Sequence, residues 1–345
     1  EKKHDANFNI NGMVAPDGRP KAAMFENKWI YQPATSSLDA DFKLKIHNRQ
    51  SVQNLNDFIP VLKVLENGTV IKQVVLKPLD IPAGSDLVLD VNKYLPKMKS
   101  DAEYFLNIEF QLSKEEFWAN KGYAVATDQF LLQKKAEVTL AEAKQKSNLQ
   151  ETKDAYIING TDFNISINKV NGALSSYVYK GKEQVKSALL PNFTRALTDN
   201  GRKGWKPHKV LKQWFAAKPI LKNCSVEQSN AGMKISSDYE IIKDSAQVKV
   251  VYNINPNGII KVDYQLKVSS KLPNIPRIGM QMGINKDFDQ ISWYGKGELE
   301  NYSDRSFGFT VGKYALPMDK FIEPYVMPQE NANRTEVRWM AFTTP

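Results

Sequence analysis

Between Phe42 and His47 apolar and polar side chains alternate: Phe42, Leu44 and Ile46 against Lys43, Lys45 and His47. A period of two sends successive side chains to opposite faces, so this stretch predicts a half-buried β-strand. Asn67-Gly68 stands between residues 61–65 and 70–76, both apolar and rich in β-branched side chains. Asn-Gly supplies the positive-φ positions of a tight turn, which predicts a hairpin. Residues 87–91, 104–112 and 123–132 carry further strand patterns. Short strands at such spacing, starting from about Lys28, predict an antiparallel sandwich of immunoglobulin type. The chain has one cysteine, Cys224. Apolar packing must therefore hold the sheets, since an internal disulfide and a Cys-rich zinc site are both excluded.

Residues 134–153 are polar and read as a linker or a short connecting strand. After Tyr156 the strand pattern resumes at 163–167, 174–179, 233–239, 248–253, 259–268 and 277–283. Asn257-Gly258 predicts a second hairpin, and Asn171-Gly172 repeats the same turn chemistry. A larger two-sheet sandwich is expected here. Residues 206–215 fit either a short helix or an ordered loop. Residues 1–23 hold Asn11-Gly12, Pro16-Asp17-Gly18 and Pro20. They are rich in turn signals and too short to bury a core. The expected fold class is all-β, with no internal repeat.

Composition changes this picture little. The chain has 345 residues, long enough for two or three domains. Its formal net charge is +9, but the excess lysines are scattered and runs such as Lys2-Lys3 and Lys134-Lys135 are short. A solvated surface is expected, with no nucleic-acid partner. No apolar run approaches the ~18 residues of a membrane span, so no membrane partner is expected either. His4, His47 and His208 lie far apart without ligand spacing. The first residues show no apolar signal region, and the compartment, cytoplasm or periplasm, stays open.

Two stretches concentrate polar chemistry: WYGKGELENYSDR (293–305) and YVMPQENANRTEVRW (325–339). The Trp-Tyr-Gly-Lys-Gly start predicts a tight turn. Glu298 and Glu300 would share a face on a strand, with Cα atoms roughly 6–7 Å apart. The alternative has Glu300, Asn301, Asp304 and Arg305 satisfying one another and nearby backbone amides, and this is the favoured reading. Arg195, Asp199 and Asn200 form another polar cluster. It is read as a buried Arg–Asp pair tying strands together, or as a loop reaching towards a neighbouring domain. Glu330, Asn331 and Arg334 carry the same two readings. Cys224 and His208 lack a third orienting residue, so packing is favoured over a nucleophile pair.

With residues 8–14, 27–32, 122–130 and 193–200, these two stretches occur in an order that resembles family 2 glycoside hydrolases of the bacterial β-galactosidase type. The resemblance implies a domain order. Residues 1–23 would be the tail of a (β/α)8 barrel, and 24–135 an immunoglobulin-like β-sandwich. A linker would occupy 136–150, and a large mutarotase-like β-supersandwich, cut short at its C-terminus, 151–345. The implied parent hydrolyses terminal β-D-galactosides with retention, using two carboxylates about 5–5.5 Å apart. In the family both lie on barrel strands upstream of residue 1, so no catalytic residue is expected in this chain. It is expected to be a non-catalytic fragment that supplies scaffold and interdomain contacts and is inactive alone.

The resemblance also places the Asn11 side chain and the Phe8 backbone carbonyl at a sodium ion beside the galactose of the intact parent. Hard cations take such oxygen donors. No cofactor is expected in this chain itself; sodium, and magnesium or calcium, would belong to the parent. The β-galactoside substrate would be met through the missing barrel, and an oligomer stays open for the parent. Leu197 stands where the family has Pro, Gly201 where it has an acid, and Ala332 where it has Gly. A backbone needing positive φ at 332 would be strained. Two rival readings remain: a carbohydrate-binding module with Trp205, Trp214 or Trp293 as its platform, and a mutarotase-like epimerase.

Overall fold

The computed structural model describes residues 12–136, 147–230 and 232–344. His4, Phe8, Asn11 and most of the expected linker lie outside them. Packing divides the chain into two units: the described residues of 1–139, 289–326 and 331–345 form one, and those of 140–288 and 327–330 the other. Both units are built of antiparallel β-sheet, so the chain is all-β.

The first unit opens with helix α1 (Ala22–Ile30), where the sequence pattern predicts strand from about Lys28. Ala22, Ala23, Met24, Glu26 and Lys28 are good helix formers with no β-branched run among them. Pro33 then forces extended backbone on the residue before it. Strands β1 (Ala34–Leu38), β2 (Lys43–Asn48), β3 (Phe58–Glu66), β4 (Thr69–Val75), β5 (Asp86–Asp90), β6 (Tyr104–Leu112) and β7 (Ala124–Gln133) follow. They form two sheets, β1-β2-β5 and β4-β3-β6-β7. Leu44 and Ile46 of β2 meet Leu62, Val64, Leu106 and Ile108 of the other sheet in one core. Lys45 and His47 stay exposed, as period two requires.

The second unit begins with β8 (Asn148–Glu151), β9 (Ala155–Asn159), β10 (Phe163–Asn168), β11 (Leu174–Tyr179), β12 (Lys182–Glu183) and β13 (Val185–Asn192). Three short helices follow, α2 (Asp199–Lys203), α3 (Pro207–Val210) and α4 (Lys212–Phe215), so residues 206–215 are largely helical. Strands β14 (Ile220–Ser229), β15 (Gly232–Ile242), β16 (Ala246–Ile254), β17 (Ile260–Val268) and β18 (Gly279–Ile284) complete the unit. One sheet runs β18-β13-β11-β10-β9-β8 with β12 beside β11, the other β14-β15-β16-β17. Ile165 and Ile167 pack with Ile235, Tyr239, Val250 and Tyr252 in their shared core. The two Asn-Gly turns join β10 to β11 and β16 to β17.

The chain then returns to the first unit with β19 (Gln290–Gly297), β20 (Thr310–Pro317), helix α5 (Met318–Phe321) and β21 (Trp339–Thr343). These strands form a third sheet, β20-β19-β21. The Trp-Tyr-Gly-Lys-Gly segment is therefore extended, not the tight turn its glycines predict. Gly295 serves close approach instead: a Cβ there would lie 2.9 Å from Val337 Cα.

Tyr294 of β19 packs with Leu65, Phe105 and Val311. Its ring lies against Gly68 of the β3–β4 turn, where an added Cβ would sit 2.6 Å from two ring carbons. Its hydroxyl donates to Glu103, which also accepts Arg338 Nε and Nη2, each at 2.9 Å. Gln129 of β7 makes a second link. Its Oε1 accepts from Val311 N at 2.7 Å and its Nε2 donates to Val311 O at 2.9 Å, so the amide pairs as a strand backbone would.

Gly68 is thus held by both its φ of +79° and the ring above it. Gly68→Ala should destabilise the protein by about 2 kcal/mol or more, from left-handed strain plus overpacking, as read by urea unfolding. Glu103 titrates under opposing influences. Burial favours its neutral form, but the hydrogen bonds from Arg338 and Tyr294 outweigh it and hold the carboxyl below its ordinary value. A lowered folded pKa gives stability that is complete above the unfolded value, about 4.3, and is lost as pH falls through the folded one. The melting temperature of the wild type should exceed that of Glu103→Gln near neutral pH, and the gap should narrow below about pH 4. A gap independent of pH would contradict this account.

Candidate functional site

The polar cluster at the end of β19 is built around a carboxylate. Glu300 is 2% exposed. Its Oε1 accepts from Arg305 Nη2 at 2.8 Å and from the Tyr325 hydroxyl, and its Oε2 from Ala332 N at 3.0 Å. Burial and the adjacent carboxylate both push the Tyr325 phenol above its ordinary range. The neighbouring Asn301 is fully buried. Its Nδ2 donates to Lys296 O and Leu299 O, while its Oδ1 accepts from Thr335 N at 2.8 Å and Thr335 Oγ1 at 2.6 Å. Asn333 closes the knot, donating Nδ2 to Asn301 O at 2.7 Å and accepting Asn301 N at 2.9 Å.

Arg334 lies beside this knot. Its Nη2 donates to Glu298 O at 2.9 Å, and its guanidinium lies 4.2 Å from the Phe321 ring centre and 5.1 Å from that of Trp293. Burial pushes its pKa down to about 10, although Glu300 acts in the opposite sense. The aromatic faces partly replace the water this cation loses.

This arrangement leaves little room for acid–base chemistry. Strand β19 ends at Gly297, so Glu298 and Glu300 do not ride one strand face. Glu298 is exposed and Glu300 buried. A general acid or base must reach the reacting atom, yet both oxygens of Glu300 are engaged by protein donors. The cluster cross-links residues 298–305 to Tyr325 and residues 332–335. Asp304 is exposed and stands apart from it.

The other sequence candidates are dispersed. Arg195 is exposed and Asp199 half-buried, so a pair between them would not be a buried one. Asp199 sits in the first turn of α2, behind the Thr198 cap, with its carboxylate 3.8 Å from Lys203 Nζ. An acid in a first helical turn faces unpaired backbone N–H groups, which is reason enough for its place. Asn200 is exposed and Asn331 half-buried. Glu330 pairs with Arg277 at 3.1 Å. Cys224 Sγ lies 3.6 Å from Ser237 Oγ, and burial pushes its thiol up, which disfavours the nucleophilic thiolate. Among the described residues, no group of three His, Cys, Asp or Glu side chains is placed to hold a metal.

Of the three tryptophans named as a sugar platform, Trp214 and Trp293 are buried and Trp205 is exposed. Sequence reasoning missed the exposed pair Phe117-Trp118 and the exposed Tyr31. The signal was present: large aromatic side chains flanked by turn and charged residues, outside any alternating run.

Comparison with known proteins gives matches along most of the chain. A family model described as Beta galactosidase small chain matches residues 159–345, and one described as Beta-galactosidase, domain 4, matches residues 44–133. A β-galactosidase of Priestia megaterium is 32% identical over 99% of this chain and 33% of its own length. Those of Psychromonas ingrahamii and Vibrio cholerae are 28% and 29% identical, each over 97% of this chain and 34% of the relative. The chain spans about a third of the length of the curated relatives it matches.

Ala332 adopts a φ of +65°, the left-handed geometry in which its N–H reaches Glu300. Ala332→Gly should stabilise the protein by about 0.5–1 kcal/mol, the relief of left-handed strain less the entropy glycine adds to the unfolded chain. Equilibrium denaturation checks it; a lower midpoint for the glycine variant would contradict the strain.

Proposed function

The chain belongs to the β-galactosidase small-chain family, and on that premise we propose that it is the non-catalytic C-terminal part of a larger family 2 glycoside hydrolase. That parent would hydrolyse terminal β-D-galactosides with retention through a covalent glycosyl-enzyme, its acid/base and nucleophile lying outside this chain. The observation that carries the reading is the saturation of Glu300, the best-placed acid of the family signature, by Arg305, Tyr325 and Ala332. The chain would contribute rigid β-sandwich scaffold and interdomain contacts. Phe25 and Phe307, both exposed apolar side chains of the first unit, are suited to such contacts. In the intact parent, the Phe8 carbonyl and Asn11 side chain would offer oxygen donors to a sodium ion.

Purified chain incubated with a chromogenic β-galactoside should show no turnover above buffer. Turnover that disappears in Glu300→Gln would overturn the non-catalytic assignment.

A further inference from the structure

In the first unit, a hollow of about 430 Å³ opens between the end of α1, the segment after β2 and the loop before β7. Its lining includes Tyr31, Arg49, Gln50, Gln53, Phe58 and Trp118. Tyr31 is 80% exposed and Trp118 53% exposed, so both rings are open to a ligand. Trp118 also lines a second, adjacent hollow formed by its own loop, residues 115–123.

We propose that this surface binds a neutral oligosaccharide, with the Trp118 and Tyr31 rings as its apolar platform. The proposal goes beyond the scaffold reading, which assigns no sugar to the described residues. A pyranose ring presents an apolar C–H face, which buries against an aromatic ring, and a rim of hydroxyls that both donate and accept. Side-chain amides match such hydroxyls because they too carry both functions. Gln50 and Gln53 supply two, and among the described residues neither side-chain amide has a hydrogen-bond partner.

The walls are fixed before any ligand arrives. Arg49 Nη1 donates to Ile30 O at 2.6 Å, and Arg49 N to Pro33 O at 2.8 Å, tying the segment after β2 to the end of α1. On the far wall, Glu116 and Ala119 exchange backbone hydrogen bonds, and Gly122 N donates to Leu112 O at 2.9 Å. Trp118 then packs edge-on against Tyr123, centroids 5.8 Å apart, and Lys28 Nζ lies 4.1 Å from the centre of the Tyr123 ring. A Trp118 ring held this way loses little freedom on binding.

The charge pattern selects against other ligands. An anion would want several cations, but Arg49 is the one charged side chain in the lining and its Nη1 already serves backbone carbonyls. A small apolar molecule would want enclosure, which rings this exposed do not give. An open trough with amide donors and acceptors suits a chain laid across it.

Titration calorimetry of the whole chain with lactose and with β-1,4-galactotetraose tests this. Heat should give dissociation constants on the order of 0.1–1 mM, tighter for the tetraose, which covers both rings. Trp118→Ala should weaken the tetraose roughly tenfold or more, and Trp205→Ala should change nothing. Should Trp118→Ala fail to fold, the double variant Gln50→Ala/Gln53→Ala, which removes no described side-chain hydrogen bond, should show the same weakening. Absence of heat at ligand concentrations of about 20 mM would overturn the proposal. So would unchanged affinity in a folded Trp118→Ala, or binding of inorganic phosphate in place of the sugars. None of these outcomes bears on turnover, so failure here is distinct from failure of the scaffold reading.

Discussion

Adjacent residues on β19 send large rings to opposite faces, and much of the first unit is organised by what each ring meets. Trp293 is fully buried, 5.4 Å from the Tyr314 ring and 5.5 Å from that of Phe321, with Nε1 donating to Lys296 O at 3.0 Å. Tyr294 enters the cluster of Leu65, Phe105 and Val311. A one-residue slip of β19 would exchange the two faces, leaving an indole against Gly68 and taking the phenol away from Glu103. Register is therefore fixed by shape. The polar links fall into line with it: Glu103 meets the Tyr294 hydroxyl, and Glu300 and Asn301 bind the segment just beyond the strand.

These links differ in what they contribute. Gln129 pairs with Val311 through a neutral amide, so no charge is desolvated and the geometry alone selects the partner. Glu103 and Glu300 bury carboxylates, and a buried ion pair gains little over apolar packing unless its remaining lone pairs are satisfied. Both meet that condition with an arginine and a tyrosine, and Glu300 adds a backbone N–H. Their effect is on specificity. Each arrangement admits one register of segments distant in sequence, and removing any partner leaves a buried group unpaired.

What could be read from the chain follows from how local the cause is. Strand β2 was legible because one face is buried and the other wet, so Leu44 and Ile46 alternate with Lys45 and His47. The turns at Gly68, Gly172 and Gly258 were legible because positive φ is a local demand. Strand β19 was not. Its buried face, Ile291, Trp293, Gly295 and Gly297, is half glycine, Tyr294 is buried on the other face, and the glycines answer to Val337 and the rings around them rather than to a turn. Helix α1 was missed because it is only nine residues long and its C-terminal Trp29-Ile30 suits a strand as well as a helix, so its propensity signal competed with the strands that follow. The burial of Trp214 and Trp293 and the exposure of Trp118 are tertiary outcomes; composition does not distinguish these tryptophans.

Glu300 shows why a strong sequence signature need not mark a reaction. Its two main partners besides Arg305 lie 25 and 32 residues further along the chain. Satisfying a buried carboxylate is close to all-or-none, since a half-satisfied network costs more than an apolar one. Every member is then constrained in identity as tightly as a residue at a reacting centre. Ala332 makes the constraint visible. A side chain stands in left-handed backbone there, at a cost of about 1–2 kcal/mol, in the conformation that aims its N–H at Glu300. The strain is tolerated because leaving that carboxylate oxygen unpaired would cost a similar amount or more. A motif dense in acids, rings and glycines is thus accounted for in large part by the packing of the sheet it belongs to.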